Sequence, residues 1–204
     1  MSSTESTVYV VDDDASFRTA VSRLLRASGF TVKVYSSASE FLARHNGDAS
    51  GCVLSDLQMP QMNGLDLQSA LAQTGNPMPI LFLTGHGDIP STVQAMRDGA
   101  EDFLEKTAPK KELLDAVTRA FARDLRERSA RVRLSELRAL FNTLSERELE
   151  VLSHVVRGQL NKQIAWDLRI HERTVKLHRT AITTKLRAQS VAEFTRLTQE
   201  AGIF

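Results

Sequence analysis

Cysteine is almost missing from this chain of 204 residues: there is one, Cys52. An internal disulfide is therefore excluded, and a reducing compartment, the cytoplasm, is the expected localisation. Cys52 stands among strand-forming residues and reads as a small buried apolar side chain. No apolar run approaches membrane-spanning length, so no membrane partner is expected. The polar start, Met1 to Thr7, lacks the charged-then-apolar order of a signal peptide. Internal repeats and low-complexity tracts are also absent. A formal net charge of only +1 hides a division. Residues 1–120 hold 10 Lys and Arg against 15 Asp and Glu, a net of −5, while residues 121–204 hold 16 against 10, a net of +6. An acidic front and a basic back predict two domains, the second with a polyanionic partner.

The acidic part alternates strand and helix signals. Val8 to Val11 is an apolar run closed by Asp12, Asp13 and Asp14, and Cys52-Val53-Leu54-Ser55 ends in Asp56. Ile80 to Leu83 runs into Thr84-Gly85-His86-Gly87, and Asp102 to Glu105 runs into Lys106. With Thr31 to Tyr35 as a further strand, the pattern predicts a doubly wound, flavodoxin-like sheet of five parallel strands. Four segments distant in sequence then bring polar groups to one rim of the sheet, where such folds bind ligands. Clustered carboxylates repel, so a hard divalent cation is expected. Magnesium fits a set of one or two carboxylates plus a phosphate oxygen. Thr84 and Lys106 would supply a hydroxyl and an ammonium to a phosphoryl group.

Residues 7–120, through Asp12, Asp13, Asp56, Thr84 and Lys106, resemble the receiver domain of two-component response regulators. The resemblance implies that Asp56 is the phosphoacceptor for a sensor histidine kinase. It assigns Mg2+ to Asp13, Asp56 and the backbone carbonyl of Gln58, with Asp12 assisting. Thr84 would bind the phosphoryl group, Lys106 would pair with it, and Phe103 would be the switch aromatic. Gly85-His86-Gly87-Asp88-Ile89-Pro90 with Thr92, Ala95 and Met96 is most similar to the FixJ branch. The family usually follows this lysine with a proline, often through a cis peptide; here the order is Lys106-Thr107-Ala108-Pro109. A cis bond before a non-proline residue costs about 2.5–4 kcal/mol, so the bond is either trans or strained. Pro109 is then expected as the first residue of the next helix.

Residues 121–141 lack Gly and Pro and are expected to continue the last helix of the first domain as a linker. Their arginines, at 123, 126, 128, 131, 133 and 138, read as a solvated face. From Leu144 the pattern tightens. Ser145 and Glu148 form a capping box, Asn161 is expected to cap a second short helix, and a third runs from about Glu172 to Arg187. On the third, Val175, Ile182 and Leu186 fall on one side and Arg173, Lys176, Leu177, Thr180 and Thr184 on the other. A basic, β-branched outer stripe suits a reader of the DNA major groove. Residues 144–197 resemble a LuxR-type helix-turn-helix, through Leu144-Ser145-x-Arg147-Glu148, Gly158-x-x-Asn161-Lys162-x-Ile164-Ala165 and Thr174-Val175-Lys176-x-His178. The resemblance turns Lys176, Leu177 and Thr180 towards bases. It gives Asn161, Lys162, Thr174 and Arg179 to phosphates, with Arg173 beside them. Arg169 and Arg187 stand where the family often has glycine, and His171 replaces the usual small cap. Trp166, beside Ala165 in the second short helix, is expected to be exposed or partly packed rather than to hold a ligand.

The expected organisation is a receiver over 1–120, a helical linker over 121–141 and an all-α DNA-binding domain over 142–204. The implied function is a phosphorylation-controlled transcriptional regulator, an activator by family analogy and not an enzyme. Its expected partners are a sensor histidine kinase, double-stranded promoter DNA and RNA polymerase. A homodimer is expected to form on phosphorylation through the surface from the fourth helix to the fifth strand. Two rival readings remain: a regulator that ignores phosphorylation, and an aspartyl-phosphate hydrolase. Such hydrolases commonly carry an acid two residues after the nucleophile, where this chain has Gln58.

Overall fold

The computed structural model describes residues 6–45, 47, 49–74, 77–85 and 89–204. His86, Gly87 and Asp88, part of the motif likened to the FixJ branch, lie outside the described residues. The chain divides into two compact units, the first ending at Arg128 and the second starting at Ser129.

In the first unit, five parallel strands stand in the order β2-β1-β3-β4-β5. They are β1 (Thr7–Val11), β2 (Thr31–Tyr35), β3 (Gly51–Asp56), β4 (Ile80–Thr84) and β5 (Asp102–Glu105). The helices between them are α1 (Ala15–Ala27), α2 (Ala38–Arg44), α3 (Gly64–Ala72) and α4 (Ile89–Arg97), and α5 (Lys110–Phe141) follows β5. Because strand side chains alternate between faces, Tyr9, Val11 and Val53 enter one core with Phe41, Leu67 and Ala95. Val8, Val10, Cys52 and Leu54 enter the other with Val21, Leu25, Leu113 and Val117. So α2, α3 and α4 cover one face of the sheet, while α1 and α5 cover the other. Cys52 is fully buried in this second core, and burial pushes its thiol pKa up. The strand order reverses between β1 and β3, and the crevice at such a reversal is where ligands bind.

Helix α5 runs unbroken for 32 residues. Two of the arginines read as a solvated face are structural. Arg123 pairs with Glu101 and Glu127. Arg128 pairs with Asp124 and donates to the Ala49 carbonyl. Asp124, almost fully buried, accepts hydrogen bonds from Ser50 Oγ at 2.9 Å and Gly51 N at 3.0 Å. Pro109 does not start α5. It precedes the helix, and its carbonyl accepts from the amides of Glu112 and Leu113.

The second unit packs the end of α5 with α6 (Glu146–Val156), α7 (Asn161–Asp167), α8 (Glu172–Leu186) and α9 (Val191–Ala201) around Leu137, Phe141, Val151, Ile164, Val175 and Ile182. Ser145 caps α6 in a full capping box with Glu148. The N-cap of α7 is Leu160, not Asn161, which is already the first helical residue. Leu160 has no side-chain acceptor; its amide is satisfied by Gln163 Oε1 at 2.8 Å. Helix α9 goes beyond the sequence reading, although Ser190 and Glu193 form the same capping signal as Ser145 and Glu148.

Candidate functional site

Each rim residue is set by the end of a strand. β1 stops at Val11, Asp12 and Asp13 follow, and Asp14 accepts the amides of Ser16 and Phe17 as N-cap of α1. Asp56 is the last residue of β3, and the β3–β4 register sets it beside Leu83, one residue before Thr84. Gly64 opens α3 so close beneath this point that a Cβ there would sit 2.5 Å from the Asp56 carbonyl oxygen. Only glycine lets α3 start there.

Lys106 joins the ends of the strands. Its amide donates to the Thr84 carbonyl at 2.8 Å. Its Nζ donates to Asp56 Oδ2 at 2.8 Å and lies 2.7 Å from Asp12 Oδ2. The second contact is an ion pair on an almost fully buried carboxylate. Gln58 N donates to Asp56 Oδ1 at 3.3 Å, and Asp14 N to Asp12 Oδ1 at 2.8 Å. Burial pushes the Asp12 carboxyl pKa up, against the pull of Lys106. For Lys106 burial acts downwards, but the hydrogen bonds and charges of Asp12 and Asp56 prevail and hold the ammonium above its usual value. The lysine therefore neutralises part of the acid pair.

Ligand oxygens of Asp12, Asp13 and Asp56 lie within 4.8 Å of one another. An all-oxygen set of three carboxylates, two of them buried, fits a hard divalent cation. Thr84 is buried, and Phe103 is half-buried with its ring 6.1 Å from that of Phe82. The bond from Lys106 to Thr107 is trans, since no cis peptide occurs among the described residues.

Two neighbours of the site were not visible in the sequence. Arg18 donates to the Asp12 carbonyl, and the Phe17 ring lies 4.5 Å from Lys106 Nζ.

On the second unit, Arg173, Lys176, Leu177, Thr180 and Thr184 are all exposed, while Val175, Ile182 and Leu186 are buried. Lys162 is exposed, and Asn161, Thr174 and Arg179 are half-exposed. Lys176 Nζ sits 3.5 Å from Glu172 on the same helix, and Thr180 Oγ1 donates back to the Lys176 carbonyl at 3.1 Å. The motif residues outside α8 hold the helices together. Lys185 bonds the buried Glu148 at 2.7 Å, and Arg147 donates to the Leu168 carbonyl. Arg169 and Arg187 adopt left-handed backbone, at φ 53° and 51°. Trp166 is 82% exposed.

Residues 8–118 match the response regulator receiver domain family, and residues 142–198 match the bacterial regulatory proteins of the luxR family. The chain belongs to the response regulators of the FixJ/NarL type. Among its relatives in that family is the response regulator protein TodT of Pseudomonas putida, 44% identical over 98% of this chain and 88% of TodT. The transcriptional regulatory protein FixJ of Rhizobium meliloti is 38% identical over 98% of both chains. The solved structure of response regulator StyR, 42% identical, covers 96% of this chain and 99% of its own, with a TM-score of 0.87. This response regulator thus pairs a receiver with a LuxR-type DNA-binding domain in a transcriptional regulator. No helix among its described residues is long and apolar enough to cross a membrane.

Proposed function

We propose that this response regulator is controlled by phosphorylation: a sensor histidine kinase transfers a phosphoryl group to Asp56, and the modified protein dimerises and activates transcription from promoter DNA in the cytoplasm. The carrying observation is Lys106, whose single ammonium reaches Asp12 and Asp56 at the switch point of the sheet. An Asp56 carboxylate oxygen attacks the phosphorus of a phosphohistidine, the phosphorus–nitrogen bond breaks, and the imidazole leaves with its electron pair. Asp13, Asp56 and the Gln58 carbonyl, assisted by Asp12, would hold magnesium, which supplies charge neutralisation for the phosphoryl oxygens. Lys106 exchanges part of its carboxylate contact for the new phosphoryl oxygens, and the Thr84 hydroxyl donates to another. Thr84 moves towards the phosphoryl group and Phe103 turns inward, altering the surface of α4 and β5.

That surface is suited to pairing, since α4 exposes Ile89, Val93 and Met96 at spacings of four and three. Two DNA-binding domains would then meet adjacent half-sites, with Lys176, Leu177 and Thr180 towards bases and Asn161, Lys162, Arg173, Thr174 and Arg179 towards phosphates. The proposed division of labour is a receiver over 1–120, a helical connection over 121–141 and a DNA-binding domain over 142–204. Gln58, in place of an acid, leaves no general base two residues beyond Asp56 for rapid hydrolysis. Intact-mass measurement with a small-molecule phosphodonor and magnesium tests the reading. The wild type should gain one phosphoryl group and Asp56→Asn none; equal gain in both would move the acceptor elsewhere.

A further inference from the structure

The only tryptophan of the chain stands in solvent on a short helix, beside a hollow of about 660 Å³. Lys162, Trp166, Arg169 and Ile170 line this hollow, and His171 and Glu172 close it at the start of α8. Lys162 and Trp166 are one turn apart on α7 and so share a face. Neither Lys162 nor Arg169 has an ion-pair partner among the described residues, whereas Glu172 is drawn to Lys176 at 3.5 Å. Through that contact the hollow runs into the exposed stripe of α8.

Arg169 carries a further sign of use. It ends α7 in left-handed backbone, where a Cβ is strained and glycine is not. A strained non-glycine residue kept beside an open hollow and an unpaired lysine is explained if its guanidinium is needed there.

We infer that the hollow formed by Lys162, Trp166 and Arg169 is a clamp for the sugar–phosphate backbone of double-stranded DNA, flanking the groove occupied by α8. The two cations face phosphate oxygens. The indole has a single donor, Nε1–H, for a third, and its ring covers the adjacent deoxyribose. Such contacts fix register without reading sequence. The inference rests on the DNA-reading role proposed for α8.

The test uses the full-length protein with two duplexes, one carrying a site selected from a random pool and one of mixed sequence, each titrated with salt. Trp166→Phe and Arg169→Gly should each weaken binding to both duplexes by a similar factor, roughly five- to tenfold. Arg169→Gly should also lower the salt slope by about one. At the same time Arg169→Gly should raise the unfolding temperature by relieving the backbone strain. A role confined to the turn would raise stability but leave the salt slope unchanged. The emission of the single tryptophan should change when the wild type is saturated with DNA. Unchanged affinity in both variants, or unchanged emission, would overturn the clamp if Lys176→Ala still weakened binding to the selected site. If Lys176→Ala also bound as the wild type does, the role of α8 would fail and the clamp with it.

Discussion

Lys106 shows how one side chain can organise a site. Its ammonium offsets the charge of two carboxylates that the strand ends force together, and its amide ties β5 to β4. The acids and the lysine were legible in the sequence because each follows an apolar strand, and a strand's end fixes where the next side chain points. Phe17 and Asp124 were not. Phe17 meets Lys106 only because α1 folds back against the β5–α5 turn. Asp124 meets Ser50 and Gly51 across a separation of more than 70 residues. Asp124→Ala strips acceptors from a buried amide and hydroxyl and removes one partner of Arg128. A loss of about 2–4 kcal/mol is expected in chemical denaturation of the first unit.

In the second unit, burial acts to raise the Glu148 carboxyl pKa, but hydrogen bonds from Lys185 and Ser145 prevail and hold it below its ordinary value of 4.5. A depressed carboxyl contributes stability that is fully present above 4.5 and is lost as the pH falls through the folded value. Protection factors of the α6 and α8 amides, corrected for the intrinsic exchange rate, should therefore fall on acidification below that point. Glu148→Gln should remove part of this acid sensitivity; an identical pH response in the variant would show that the pair does not supply it.

Helix α8 was the most legible element. Stepping its residues by 100° separates Val175, Ile182 and Leu186 from Arg173, Lys176, Leu177, Thr180 and Thr184, the division found between buried and exposed positions. Its flanks were less legible. Asn161 looks like a cap by residue type, yet the turn into α7 makes Leu160 the half-in residue and satisfies it through Gln163. Helix α9 lies outside that reading although Ser190 and Glu193 announce it. For α8 the expectation is quantitative. Lys176→Ala should cost about 1–3 kcal/mol in discrimination between a selected site and mixed-sequence DNA if the ammonium reads a base edge. A uniform loss on both duplexes would assign it to the backbone instead.

The proposed control rests on coupling between an acidic receiver and a basic DNA-binding unit, with Asp56 at the end of β3 beside the point where the strand order reverses. The trans bond after Lys106 removes one reading of Thr107, a strained cis peptide, and leaves the lysine contacts intact. The exposed Ile89, Val93 and Met96 of α4 give the coupling a surface to act on. Sedimentation velocity of the full-length protein with magnesium, with and without a small-molecule phosphodonor, tests this most directly when run beside Asp56→Asn and Val93→Asp. The account predicts a donor-dependent dimer in the wild type and monomers in both variants. No donor-dependent change in the wild type, or the same dimer in Asp56→Asn, would contradict it.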